Sequence, residues 1–115
     1  MRYTEPVTIL RAPLKAGYGG QQIRDWPNAA EVLHHDEQPR MNIQPESTTE
    51  VTDSRQLTIT RWRAFGPGDL DLVDTDRIAW DGVEGDLEVD GEVERWRRRG
   101  RAHHVKAILK LVDED

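Results

Sequence analysis

Residues 83–92, VEGDLEVDGE, are the stretch that decides the fold class of this chain. Every odd position is apolar or glycine, and every even position is acidic. A period of two is the period of a β-strand, because successive side chains point to opposite faces of a sheet. The stretch therefore predicts a strand with one buried face and one acidic, solvated face.

Two other segments favour strands. Residues 103–112 carry apolar side chains on one face and lysines on the other: Val105, Ala107, Leu109 and Leu111 against Lys106 and Lys110. Residues 57–65, LTITRWRAF, are rich in Thr, Ile and aromatic side chains, which suit a pleated surface. Weaker strand candidates are residues 6–11, 38–44 and 77–80.

Helical signals are almost absent. No segment has a sustained helical stripe, and only residues 69–76 could form one turn, with Leu70 and Val73 inward. Two long stretches, about 14–30 and about 45–56, are rich in glycine, proline or polar residues and predict loops. We therefore predict a mainly β protein: a small single-domain β-barrel over residues 1–115, with about six strands, two long loops and at most one short helical turn.

Charge is divided unevenly along the chain. Residues 66–94 carry eleven acidic side chains and one basic one, whereas residues 95–106 carry six basic ones and no acid. Like charges repel at short range, so this division is costly in a lone compact monomer. It favours assembly: either the acidic face of one copy meets the basic segment of another, or one face must stay unattractive to an anion. The candidate interface residues are Arg95, Arg97, Arg98, Arg99, Arg101, Glu84, Asp86, Glu88 and Trp96.

Composition limits the possible classes of protein. The chain has no cysteine, which excludes a disulfide framework and a cysteine zinc site. No apolar run approaches the length of a membrane span, so we expect a soluble protein with no membrane partner. Only 36% of the residues are hydrophobic and 33% are charged, so the core is thin and part of the burial should come from partner chains. The net charge of -6 argues against a general nucleic-acid binder.

Two histidine pairs offer metal ligands, in His34-His35-Asp36 and in His103-His104. If these residues lie on strands, neighbours point to opposite faces, and neither pair can chelate one ion alone. We therefore interpret them as ordinary surface or partly buried histidines. A metal-assisted hydrolase would rest on these histidines and the many acids alone.

Two loop motifs fail at their defining positions. The segment beginning Asp69-Leu70-Asp71 resembles the start of a calcium loop, but Asp74 and Trp80 stand where that loop needs Gly and Glu. The glycine-rich residues 17–20 lack the Lys-Ser/Thr of a phosphate loop. We expect no enzymatic activity, no catalytic residue, no metal and no cofactor.

A series of short motifs follows in a characteristic order from Met41 to the C-terminus. They are QPESTTE at residues 44–50, Arg55, LTIT at residues 57–60 leading to Gly66-Pro67, Asp69 through Thr75-Asp76-Arg77-Ile78, Gly82, Val89-Asp90-Gly91, Trp96 and His103-His104-Val105. In this order and spacing the chain resembles the head-to-tail stopper proteins (head-closure or head–tail joining proteins) of long-tailed, siphovirus-type bacteriophages, especially those that infect actinobacteria.

The resemblance implies a β-barrel that is made in the host cytoplasm and assembles as a dodecameric ring in the neck of the virion. Its implied partners are other copies of the chain, the portal-side adaptor, the tail terminator or tail-tube protein, and the packaged double-stranded DNA that passes through the lumen. The ring would seal the genome and offer the tail a docking surface. The loop at 14–30 would reach an adjacent ring. The loop at 45–56 is the candidate channel-closing or subunit-contacting loop, through Glu46, Ser47, Thr48, Thr49, Glu50 and Asp53.

A second class of function stays open. Residues 95–101 place arginines around Trp96, which is the pattern of a single-strand nucleic-acid surface. With Trp62 as a further stacking platform, the chain would be a small monomeric β-barrel with salt-dependent affinity for nucleic acid.

Overall fold

The computed structural model describes residues 2–47 and 59–112. Ten strands and two short 3-10 turns (Tyr18–Gly20 and Trp26–Asn28) make up its regular structure. The strands are β1 (Glu5–Arg11), β2 (Leu14–Ala16), β3 (Gln22–Arg24), β4 (Ala30–Val32), β5 (Arg40–Ser47), β6 (Ile59–Pro67), β7 (Arg77–Trp80), β8 (Asp86–Val89), β9 (Glu94–Arg98) and β10 (Arg101–Leu111). No helix in the described part of the chain is long and apolar enough to cross a membrane.

Six strands close into an antiparallel barrel in the order β1-β5-β6-β10-β8-β7, and β7 pairs with β1 to complete the circle. Closure leaves these strands without a free edge along most of their length. The two remaining strands of this sheet are additions: β4 continues the β5 edge of β1, and β9 continues the β8 edge of β10. This architecture confirms the predicted mainly β barrel.

The core lies inside the barrel and follows the alternation seen in the sequence. On β8, Leu87 and Val89 are buried while the acids between them face outward. The other strands contribute in the same way, and the buried cluster comprises Val7, Ile9, Met41, Trp62, Ala64, Leu70, Leu72, Ile78, Leu87, Val89, Val105, Ala107 and Leu109. Burial of these apolar side chains is the main favourable term for folding.

The predicted strands differ from the structure in their extent and in one residue predicted to face inward. The strand predicted at 83–92 is only Asp86–Val89 long, because Gly85 and Gly91 have φ of 84° and 97°, values in the left-handed region that end a strand. Leu111, predicted to face inward, is 46% exposed. Within the described residues, β10 is in register with β6 as far as Lys110, which lies opposite Arg61.

The prediction for the irregular segments also needs correction. Residues 69–76 form no helical turn, and Leu72 rather than Val73 is the second buried residue there. The predicted loop at 14–30 contains the β2–β3 hairpin and both 3-10 turns. In the predicted loop at 45–56, Pro45, Glu46 and Ser47 belong to β5.

Candidate subunit-contact surface

The arginine-rich segment forms a tight hairpin of β9 and β10, here called the basic hairpin (residues 94–104). Its turn consists of Arg99 and Gly100, whose φ angles are 53° and 78°. Two successive residues with positive φ are the mark of a type I′ turn, whose twist matches that of the flanking strands. The basic segment is therefore a defined hairpin. Strand β9 was not predicted from the sequence, because both of its faces are exposed.

Four arginines at the end of the basic hairpin are exposed: Arg97, Arg98, Arg99 and Arg101. Arg98 and Arg101 are in register, so two like charges stand directly opposite each other. Such a pair is unfavourable in an isolated sheet. None of the four makes an ion pair with another residue in ranges 2–47 and 59–112. Three of them border an open cavity of about 720 Å³ together with Ala102 and His103, which leaves the cationic groups free to meet an external anion.

Arg95 has a different position within the same hairpin. Its Nη1 donates a hydrogen bond to the carbonyl oxygen of Leu70 at 3.1 Å, and its Nη2 donates to the carbonyl oxygen of Leu72 at 2.7 Å. A guanidinium held by two carbonyls of its own chain acts inside the subunit. Arg95 therefore positions the loop before β7 rather than extending the exposed arginine surface.

Trp96 and Trp62, which the sequence grouped together as candidate contact residues, lie in different environments. Trp96 is 50% exposed and stacks on His104, with ring centroids 5.6 Å apart and planes 10° apart. Phe65 lies next to His104, at a centroid distance of 6.2 Å. Trp62 is only 8% exposed and belongs to the core. The proposal that Trp62 stacks on a nucleic-acid base is therefore wrong, because the inward face of β6 is closed by packing.

The acids of the period-two strand are partly neutralised within the subunit. Asp86 and Glu88 point out from β8, and Glu88 lies 3.8 Å from the Nζ of Lys110. Just after the strand, Asp90 accepts a hydrogen bond of 2.6 Å from the Nε of Arg61, and this contact holds the pKa of Asp90 below its usual value. Glu84 is exposed in the turn between β7 and β8.

The exposed arginines of the basic hairpin and the exposed acids of the β7–β8 turn lie near opposite ends of β10. Arg101, in the hairpin, is the first residue of that strand. The turn that carries Asp81 and Glu84 lies beyond the other end, where the Val112 amide donates to the Asp86 carbonyl at 3.0 Å. Eleven residues of strand span roughly 33 Å, several times the screening length at physiological salt. These two groups of charge cannot neutralise each other within one subunit.

Two acids of residues 69–76, Asp71 and Asp76, have Arg11 as a partner inside the subunit. Arg11 donates to both oxygens of the buried Asp76, from Nε to Oδ1 at 2.9 Å and from Nη2 to Oδ2 at 2.8 Å. Its Nη2 also lies 3.0 Å from Asp71, and these bonds raise the pKa of Arg11 and lower that of Asp71. The Val73 amide donates to the same Asp76 carboxylate at 3.0 Å. Sequence patterns do not reveal this cluster, because Arg11 and Asp76 are 65 residues apart.

The candidate channel loop is described only at its start. Glu46 is half-buried on β5 and stands in register with Arg61 of β6. Ser47 is the last residue of β5 and pairs with Ile59. Thr48, Thr49, Glu50 and Asp53 lie outside the described residues, so their assignment to this loop stays a prediction.

Comparisons with known proteins show a likeness in fold only. No protein-family model matches the chain, and no curated protein matches it. Among solved structures, the chain is similar to protein SF1141 of Shigella flexneri 2a, with 15% identity and a TM-score of 0.60 over 99% of this chain and 96% of that one. It is also similar to protein xkdH of the phage-like element PBSX of Bacillus subtilis, with 16% identity and a TM-score of 0.46 over 96% of both chains. At 15% identity, the likeness to SF1141 concerns the fold alone.

Proposed function

We propose that this chain is a non-enzymatic structural protein of a long-tailed phage virion, a stopper subunit of the head–tail connector. In this proposal, twelve copies form a ring below the portal and its adaptor, seal the packaged DNA and present the docking surface for the tail. The motif order from Met41 to the C-terminus and the closed barrel support the proposal. The observation that carries it is the placement of the exposed Asp81 and Glu84 near one end of β10 and of the exposed arginines of the basic hairpin at the other.

Opposite charges on distant parts of one subunit suit a heterologous interface. In a ring, one surface of each copy contacts a different surface of the next, so the two surfaces must be complementary rather than identical. The basic hairpin and the turn with Asp81 and Glu84 provide such a pair. Their charges are exposed at the rim, where each pair contributes only about 0–1 kcal/mol, so several pairs must act together.

The test is reversal of the charge on the basic hairpin. We expect the variant with Arg97→Glu, Arg98→Glu and Arg99→Glu to remain folded by circular dichroism but to lose ring formation, measured by light scattering against a subunit mass of 13.2 kDa. Assembly onto heads that lack the protein gives a second reading. A control reverses two exposed basic residues outside both the hairpin and residues 14–30, Arg2 and Arg40, and should assemble normally.

A compensating change makes the test specific. If the arginines contact the acidic turn of a neighbour, adding Asp81→Arg and Glu84→Arg to the triple variant should restore part of the assembly. Wild-type assembly should also weaken as salt rises from about 0.15 M to about 1 M, because screening shortens from about 8 Å to about 3 Å. Unchanged ring formation by the triple variant would show that these arginines do not form the subunit interface.

The channel-closing role of the loop at 45–56 is part of the same proposal. Apart from Val51, its residues from Glu46 to Ser54 are polar, so the segment cannot supply a core of its own. We expect replacement of residues 47–54 by two glycines to leave the barrel folded but to release DNA from filled heads. Heads that keep their genome and still accept tails would show that another segment closes the channel.

A second candidate function rests on the exposed Trp96–His104 stack beside Arg98 and Arg101. Stacked aromatic groups among arginines can hold the bases and phosphates of a single strand. This function predicts a monomer whose affinity for an oligonucleotide falls with salt and with Trp96→Ala, measured by fluorescence anisotropy. A ring that shows no such affinity favours the connector.

A further inference from the structure

A tight turn between β4 and β5 brings two neighbouring histidines side by side. The turn is closed by two backbone hydrogen bonds, from the His34 amide to the Glu37 carbonyl at 2.9 Å and from the Glu37 amide to the His34 carbonyl at 3.0 Å. Its central residues, His35 and Asp36, have φ of 51° and 65°. The imidazole centroids are 4.2 Å apart. The expectation that neighbours point to opposite faces holds for residues on strands, and it does not apply here because these residues form a turn.

Asp69, from the loop after β6, meets both imidazoles. Its Oδ2 lies 2.7 Å from the Nε2 of His35, and its Oδ1 lies 3.5 Å from the Nε2 of His34. One ligating atom from each residue falls within 4.8 Å of the other two. Within residues 2–47 and 59–112, this is the one group of three such side chains that converges.

We propose that His34, His35 and Asp69 form a binding site for a divalent transition-metal ion, with Zn²⁺ as the ion that best suits the ligands. Two imidazole nitrogens and one carboxylate are a ligand set typical of Zn²⁺ and its neighbours in the first transition row. The fourth position faces solvent, since the side chains of His35 and Asp69 are 73% and 57% exposed.

The distances need little adjustment to hold an ion. Zinc–nitrogen and zinc–oxygen bonds of about 2.0–2.2 Å place the ligand atoms of a tetrahedron about 3.3–3.5 Å apart. The His34 Nε2–Asp69 Oδ1 separation of 3.5 Å already has this value, and the His35 Nε2–Asp69 Oδ2 separation of 2.7 Å must open by about 0.6–0.8 Å. A small rotation of the exposed Asp69 side chain supplies this change.

The position of the site links it to the basic hairpin. Gly68, the neighbour of Asp69, packs so closely on β10 that an added Cβ would lie 2.7 Å from the carbonyl carbon of Ala102. A bound ion would therefore join the turn between β4 and β5 to the loop that supports the hairpin. Left-handed backbone at a non-glycine residue, as at His35, is a strained state of the kind found at ligand sites.

The experiment is a titration of the full chain, freed of metal by a chelator, with Zn²⁺ in a calorimeter and with Co²⁺ by visible absorption. We expect one ion per chain. Asp69→Asn and His35→Asn should each lower the affinity at least about tenfold, because each removes one of three ligands. Asparagine is chosen at position 35 because it tolerates the left-handed conformation.

The chain supplies its own matched control. His103 and His104 are also adjacent, with Nδ1 atoms 2.6 Å apart, so His103→Asn removes one histidine away from the site, as His35→Asn does at the site. The His103→Asn variant should keep the wild-type affinity, and its melting temperature should rise with Zn²⁺ as that of the wild type does, whereas the Asp69→Asn variant should show no rise. Absence of saturable one-to-one binding, or equal loss in the control, would overturn the proposal.

Discussion

At the scale of single residues, the same kind of side chain has different roles according to its partners. Asp76 is buried and receives hydrogen bonds from Arg11 and from the Val73 amide. Asp74, two residues earlier, is exposed. A buried carboxylate needs such partners, because an unpaired charge away from water is strongly unfavourable. The position of an acidic residue in residues 69–76 therefore does not indicate its contribution to the stability of the fold, which depends on its contacts.

This contrast predicts unequal effects of two conservative substitutions. Asp76→Asn removes the charge that Arg11 neutralises and should lower the free energy of unfolding by about 2–4 kcal/mol, less than a fully buried pair because Arg11 is partly exposed. Asp74→Asn should change it by about 0.5 kcal/mol or less. Urea denaturation measures both, and equal effects would contradict the assigned role of Asp76.

The pair of Arg61 and Asp90 predicts a pH dependence. The hydrogen bond from Arg61 lowers the pKa of Asp90 from its ordinary value of 3.8. A carboxyl group whose pKa is lowered by folding stabilises the folded state above its ordinary pKa, and this contribution is lost as pH falls through the lowered value. Asp90→Asn should therefore flatten the fall in unfolding free energy below about pH 4. The exposed Asp81→Asn serves as the control and should follow the wild-type curve.

At the scale of elements, β10 organises the barrel. It pairs with β6 along one edge and with β8 and β9 along the other, so it is part of both the barrel and the basic hairpin. Its alternation of apolar and charged residues was readable because one face is buried. Strands β2, β3 and β9 are exposed on both faces and leave no such signal.

Two leucines on the same face of β10 differ in burial and should therefore differ in their contribution to stability. Leu109 is fully buried, whereas Leu111 is 46% exposed. Leu109→Ala should lower the unfolding free energy by about 2–5 kcal/mol through lost burial and a cavity. Leu111→Ala should cost about 1 kcal/mol or less. Thermal unfolding of the two variants distinguishes them, and similar losses would place both leucines in the core.

At the scale of the whole molecule, the β2–β3 hairpin (here called the excursion) lies outside the packed interior of the barrel. Strand β1 closes the barrel by pairing with β7 and β5, and it contributes Val7 and Ile9 to the core. The β2–β3 excursion contributes no buried residue. Its two ends meet, since the Asp25 amide donates to the Pro13 carbonyl at 2.8 Å. This arrangement suits a folded body with a projecting contact element.

Removal of residues 14–24 tests the folding of the chain and its docking to the adjacent ring separately. Joining Pro13 to Asp25 with two glycines should change the free energy of unfolding by only about 1 kcal/mol, because no core residue is removed. If the predicted role of residues 14–30 holds, the shortened chain should still form rings but fail to attach to the adjacent ring, as seen by electron microscopy of heads. Deletion of residues 5–11 is the contrasting control and should abolish cooperative unfolding. Normal attachment by the shortened chain would exclude the excursion as a docking element.

The sequence by itself determined the features that depend on neighbours along the chain. The period of two at Leu87 and Val89, and at Val105, Ala107 and Leu109, predicted which side chains enter the core, because pleating alternates faces locally. The separation of acidic from basic residues was likewise visible without a structure. Only the tertiary structure decided which distant groups meet: Arg11 with Asp76, Arg95 with the carbonyl of Leu70, and His35 with Asp69 are 65, 25 and 34 residues apart. Those meetings depend on the order and register in which the barrel closes, and no local pattern of side chains encodes either of them.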